Sequence, residues 1–279
     1  MKTKTIVTNI IIALSLGIVY TGCKKDKTND PTPSTTIPTT TTTFTVTPET
    51  ANSIAESSFT EIFKSLSEVS SSGSGLRSSC ATITIDTTPF TSFPKTVTID
   101  YGTGAGCSGK TGKLTAKFYG KFGGASGTFI TITADSNYTI NSHKIDVGTQ
   151  IITNGGLTGG HKTFTLSVVG GNVGMPVGSI SWNSSRTITW VAGDTTLDPT
   201  DDVYQITGTA SGANVNGDLF TSAISSPLVI ANSCPYIESG VITITTFTNK
   251  TRTIDFGVAG NCDNKATVTI DSTTYNINL

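Results

Sequence analysis

The chain has 279 residues, enough for one large β domain or two smaller ones, with 13% charged residues and a net charge of −1. That balance leaves no electrostatic footprint for a phosphate backbone, which excludes nucleic acid as a partner. Abundant Gly, Thr and Ser beside two Met and two Trp favour many short strands and turns over helices.

Lys2 and Lys4 precede an apolar run over 10–19, which is shorter than the ~20 residues a bilayer crossing needs and reads as a signal peptide spanning 1–22. The run ends in Tyr20-Thr21-Gly22-Cys23, and Cys23 is the odd member of five cysteines. Gly22-Cys23 resembles the lipobox of bacterial lipoproteins, which implies that Cys23 becomes a lipidated, palmitate-bearing amino terminus. Lys24, Lys25, Asp26 and Lys27 follow, with no Asp directly after the cysteine, which resembles lipoproteins sent to the outer membrane. From Thr28 to Pro48 the composition is mostly Thr and Pro, which cannot bury enough apolar surface to fold alone. Residues 23–48 are therefore expected to be a lipidated cysteine and a disordered tether, ahead of one β domain over 49–279.

Thr47-Pro48-Glu49 has the marks of a helix start: a capping hydroxyl, a first-turn proline and an acid near the positive dipole end. Ala55, Phe59, Ile62, Leu66 and Val69 then form one apolar stripe at helical period, predicting a helix over 49–70. Its polar face carries Glu56, Glu61, Glu68 and Lys64, which an anionic bilayer would repel, so the stripe is expected to pack on the protein's own sheet.

From Ala81 the period changes to two. Leu114, Ala116 and Phe118 oppose Lys113, Thr115 and Lys117, and Phe164, Leu166 and Val168 oppose Thr163, Thr165 and Ser167. Such alternation fits antiparallel sheets that are dry on one face and wet on the other. Turns are expected at Gly123-Gly124, Ser136-Asn137, Gly155-Gly156, Gly170-Gly171, Asn183-Ser184, Gly212 and Asn249-Lys250. Trp182 and Trp190 fall on one face of a hairpin about Asn183-Ser184-Ser185, as core or, alternatively, as a sugar-stacking platform. A long meander with one helix predicts an all-β fold, a curved open sheet or incomplete barrel packed on that helix, with a two-layer β-sandwich as the alternative.

The stretch Thr98-Ile99-Asp100-Tyr101-Gly102 returns as Thr253-Ile254-Asp255-Phe256-Gly257, so two similar modules span 80–118 and 234–271. Cys80 precedes Cys107 by 27 positions and Cys234 precedes Cys262 by 28. Four cysteines allow three pairings, and only Cys80 with Cys107 and Cys234 with Cys262 respects the duplication. These modules, with Tyr138-Thr139-Ile140 and the run 149–154, resemble poorly characterised exported lipoproteins of the Bacteroidota over most of residues 80–279. The resemblance implies anchoring and a β fold, and it carries no activity. Asp86-Thr87-Thr88, Asp194-Thr195-Thr196 and Asp271-Ser272-Thr273 resemble the short O-glycosylation triplets of exported proteins of that group.

Motifs with chemical meaning are few. Gly104 to Thr111 matches the phosphate-binding loop pattern, but strand-like Leu114-Thr115-Ala116 follows where that motif needs a helix. His143 and His161 lack any nucleophile elbow or paired metal spacing. Asp194, Asp198, Asp201 and Asp202 cluster in one loop without the ordered spacing of a calcium site. No catalytic residue, metal or cofactor is assigned. The sequence predicts a non-enzymatic, membrane-anchored binding or structural domain, the alternatives being a carrier or sensor of an acyl-containing ligand and a carbohydrate-binding or adhesion module. Its partners would be the membrane, through Cys23, and a small-molecule, glycan or protein ligand.

Overall fold

The alternating pattern becomes strand after strand in the computed structural model, which describes residues 47–71, 80–86 and 92–279. All of these fall within one compact unit, Phe44–Leu279. The expected signal peptide, Cys23 and nearly all of the tether lie outside the described residues. In chain order the elements are α1 (Pro48–Ser71), β1 (Thr82–Ile85), β2 (Lys95–Asp100), β3 (Lys110–Thr111), β4 (Lys113–Phe118), β5 (Phe129–Ala134), β6 (Thr139–Ile140), β7 (His143–Asp146) and β8 (Thr149–Thr158). Then follow β9 (His161–Met175), β10 (Gly178–Ala192), a 3-10 turn at Pro199–Asp201, β11 (Val203–Ala213), β12 (Leu219–Ala231), β13 (Ser239–Thr246), β14 (Thr251–Asp255), β15 (Lys265–Ile270) and β16 (Thr273–Asn278).

The strands form one 16-stranded antiparallel sheet, and from β8 to β16 each pairs with the next in sequence, a meander. The path runs from β1 to β16 without closing, so the sheet is open and single instead of a two-layer sandwich. Strand β3 pairs β6, which in turn pairs β7, a short ribbon beside the main path.

The capping expectation for α1 holds, since the Thr50 N–H donates to Thr47 Oγ1 at 3.2 Å. The apolar stripe Ala55, Phe59, Ile62, Leu66 and Val69 is buried, and so are Glu49, Glu56, Lys64 and Ser67 on other sides of the helix. The sheet therefore curls around α1 and leaves it almost no wet face. Partners come from well-separated strands: Glu49 pairs with Arg252 of β14, Glu56 with Arg186 of β10, and Glu61 with Lys110 of β3. Phe63 meets Phe122, Phe164 and Tyr204 at ring-centroid distances of 5.6, 5.3 and 5.1 Å, which places it among aromatic rings from the β4–β5 connection, β9 and β11. Burying one such ring contributes about 1.5–3 kcal/mol.

Four turn expectations fail for one reason. Asn183-Ser184-Ser185 lies inside the continuous strand β10, paired with Ser211, Ala210 and Thr209 of β11, so the tryptophans share a strand face without a hairpin between them. Gly170-Gly171 and Gly212 likewise sit inside β9 and β11, and Gly155-Gly156 inside β8. Glycine there serves close approach or a bulge. A Cβ on Gly171 would lie 2.6 Å from Phe59 Cζ, so the helix can touch the β9 backbone only because that side chain is missing.

Candidate functional site

The two cysteine modules make the same local turn. Asp100 Oδ1 accepts from the Gly102 N–H at 2.9 Å, and Asp255 Oδ1 accepts from the Gly257 N–H at 2.8 Å. Cys80 is bonded to Cys107 and Cys234 to Cys262, with Cα separations of 5.2 and 5.6 Å, the pairing that the duplication predicts. In the first module the loop continues into Lys110, which is buried. At the matching offset of the second stands Lys265, which is exposed on β15. Only one copy turns its lysine inward.

Lys110 faces a cavity of about 270 Å³ at the carboxyl-terminal half of α1. One wall is Glu61, Lys64, Ser65, Glu68 and Val69 of the helix; the second is Ile99, Tyr101, Cys80 and the Gly106–Ser108 loop; the third is Asn232, Ser233 and Pro235, around Cys234. At ~30 Å³ per molecule of liquid water, this space holds about nine waters, or one small solute.

Its charges are arranged in a chain. Lys110 Nζ donates to Glu61 Oε1 at 2.6 Å and to Ser65 Oγ at 3.4 Å, while Lys64 Nζ stands 3.3 Å from Glu61 Oε2 and donates to the Cys234 carbonyl at 2.6 Å. Burial pushes the Glu61 carboxyl up, but Lys64 and Lys110 outweigh it and hold the group below its ordinary value. Burial pulls the Lys110 ammonium down, and Glu61 with Tyr101 and Glu68 more than restores it. Glu68 is different. It lines the cavity without a direct hydrogen bond or ion pair among the described residues, and burial raises its carboxyl above the usual range. Asn232 Oδ1, on the third wall, is buried and accepts from nothing.

A second cluster supports that wall from behind. Asp202 accepts from Ser67 of α1, Trp190 of β10, Tyr204 of β11 and Asn232, which ties the helix end to the turn carrying Cys234. Of the four clustered Asp residues Asp202 is buried, whereas Asp198 is exposed and caps the 3-10 turn. Among the described residues no group of His, Cys, Asp or Glu could hold a metal ion.

The other sequence candidates lie elsewhere. Trp182 is buried, stacked on Phe59 at 6.3 Å, and Trp190 is buried with its Nε1 bonded to Asp202, so neither ring is open to a sugar at the surface. His143 Nδ1 bonds the Gly174 carbonyl at 2.9 Å, and His161 opens β9 beside a glycine turn. The loop that matches the phosphate pattern leads into strand β3 instead of a helix amino terminus. An open trough of about 600 Å³ crosses the outer face of β9 to β13, floored mainly by Ser and Thr. Sequence reasoning missed Glu61, Glu68 and Lys64 as site residues because their spacing of three and four reads equally as a helix's polar face. Comparison with family models, curated proteins and solved structures finds no match to this chain.

Proposed function

We propose that the protein is an exported lipoprotein, anchored to the outer membrane through Cys23, whose β domain binds a small polar ligand without transforming it. The observation that carries the binding reading is the charged cavity at the end of α1, closed by helix, first cysteine module and Cys234 turn. Two disulfides support export, because such bonds persist in oxidising compartments. Binding is favoured over catalysis by the way charge is used. Both lysines are held in ion pairs with Glu61, and neither histidine lines the cavity beside Ser108 or Ser233. An acyl carrier would need the concave face of the sheet, and α1 fills that face with Phe59, Ile62, Phe63 and Leu66.

The anchor is tested by palmitate labelling and fractionation of the wild type and Cys23→Ser. At roughly 0.8 kcal/mol per buried methylene, lost acyl chains should move the variant to the soluble fraction or leave it unprocessed. Membrane attachment without palmitate in the wild type would refute the anchor. The binding reading is tested by native mass spectrometry of protein taken from its own membrane, which should show a retained small-molecule mass that Ser233→Trp, filling the cavity mouth, removes.

A further inference from the structure

We infer that the cavity is built for a small zwitterion, a free amino acid or short peptide whose ammonium meets Glu68 and Asn232 and whose carboxylate meets Lys64 and Lys110. This deepens the binding reading and rests on it. The walls offer complementary groups with bonding capacity left, Lys64 and Glu68 one turn apart on the helix wall, and Lys110 and Asn232 off it. Lys64 spends its donors on Glu61 and the Cys234 carbonyl, and Lys110 on Glu61 and Ser65, so each ammonium, with three N–H bonds, keeps one to give. Among the described residues, the Glu68 carboxylate and Asn232 Oδ1 are acceptors on these walls to which no donor is bonded. Two lysines and two glutamates sum to zero, so a ligand with a single charge would leave the buried site unbalanced, whereas a zwitterion keeps it neutral. Between the charged ends, Val69, Ile99 and the Cys80–Cys107 disulfide supply apolar surface for a short side chain. At about 270 Å³ the space suits one amino acid and excludes long peptides.

Glu68→Gln is the informative change, because Glu68 makes no direct hydrogen bond or ion pair among the described residues and the amide keeps its volume. The purified full-length protein is titrated by calorimetry with the neutral L-amino acids, with glycylglycine, and with butylamine and butyrate as single-charge controls. The expected result is binding of at least one amino acid or of the dipeptide, which also says which of the two sources fits. Both controls should bind about tenfold or more weakly, and Glu68→Gln should lose about tenfold or more in affinity at unchanged thermal midpoint. Butylamine or butyrate binding as well as the zwitterion overturns the inference, as does a Glu68→Gln affinity equal to wild type or silence with every probe. If the native mass measurement still shows a retained mass in those cases, the cavity reading stands and only the zwitterion falls; its absence removes both.

Discussion

Asp202 gathers donors from four parts of the chain, Ser67, Trp190, Tyr204 and Asn232, at distances of 3.1 to 3.5 Å. Burial nevertheless dominates and pushes its carboxyl up to about 6. A group raised on folding adds stability that is full below its unfolded value of 3.8 and lost as pH rises through about 6. Denaturant midpoints of the wild type should therefore fall between pH 4 and pH 6 relative to those of Asp202→Asn, and parallel profiles would remove the argument. The Glu56–Arg186 pair makes the opposite case, being an ion pair buried on both sides. Removing one partner, as in Glu56→Ala, should cost about 3–5 kcal/mol because it strands a charge, whereas Glu56→Leu with Arg186→Met should recover most of that loss. Equal unfolding energies for the single and double variants would contradict this. Neither network was legible in the sequence. Glu56 and Arg186 stand 130 positions apart, and nothing local says that a charge on a helix's polar face will meet its partner inside a sheet.

Helix α1 is rich in Ser and Thr, poor helix formers, so its helicity depends on the strands around it more than on its own propensity. What was readable in it was local: the Thr47 cap and the stripe from Ala55 to Val69. Strand parity was readable for the same reason, since alternation in β4, β9 and β15 is set by neighbours two residues away. The glycine pairs misled because Gly marks both turns and close contacts, and only the third dimension separates the two uses. Gly171 shows which applies. A Cβ there would meet Phe59 Cζ at 2.6 Å and Val168 Cγ1 at 2.8 Å, so Gly171→Ala should destabilise by about 1–3 kcal/mol through overpacking. Phe59→Leu costs stability alone, but in the Gly171→Ala background it should cost less, because it removes part of the clash. Additive losses in the double-mutant cycle would mean that Phe59 does not limit the approach of α1 to β9.

At the scale of the whole molecule, the duplicated cysteine modules were visible as a repeat, yet their different places in the sheet were not. The first forms one end of the strand path, where among the described residues β1 pairs only with β2; the second has β13 held between β12 and β14. Both disulfides close loops of nearly equal length, 27 and 28 residues, so in the chain-entropy model each contributes about 3 to 4 kcal/mol by constraining the unfolded chain. Global unfolding energies of Cys80→Ser/Cys107→Ser and Cys234→Ser/Cys262→Ser should therefore fall by similar amounts. Local opening should differ sharply. Without the first bond, four residues of β1 are held to the sheet by one neighbour, and the Gly102–Gly109 loop loses its anchor at the cavity wall. Without the second, the Cys234 turn keeps its Lys64 contact, the hydrogen bond from its N–H to Ala231 and the Asn232 link to Asp202. Hydrogen exchange should then speed up in β1 and residues 102–109 of the first double variant, while β13 stays protected in the second. If β13 opened as readily as β1, the pairing of β13 with both neighbours would not be what secures that end of the cavity, and the disulfide itself would be.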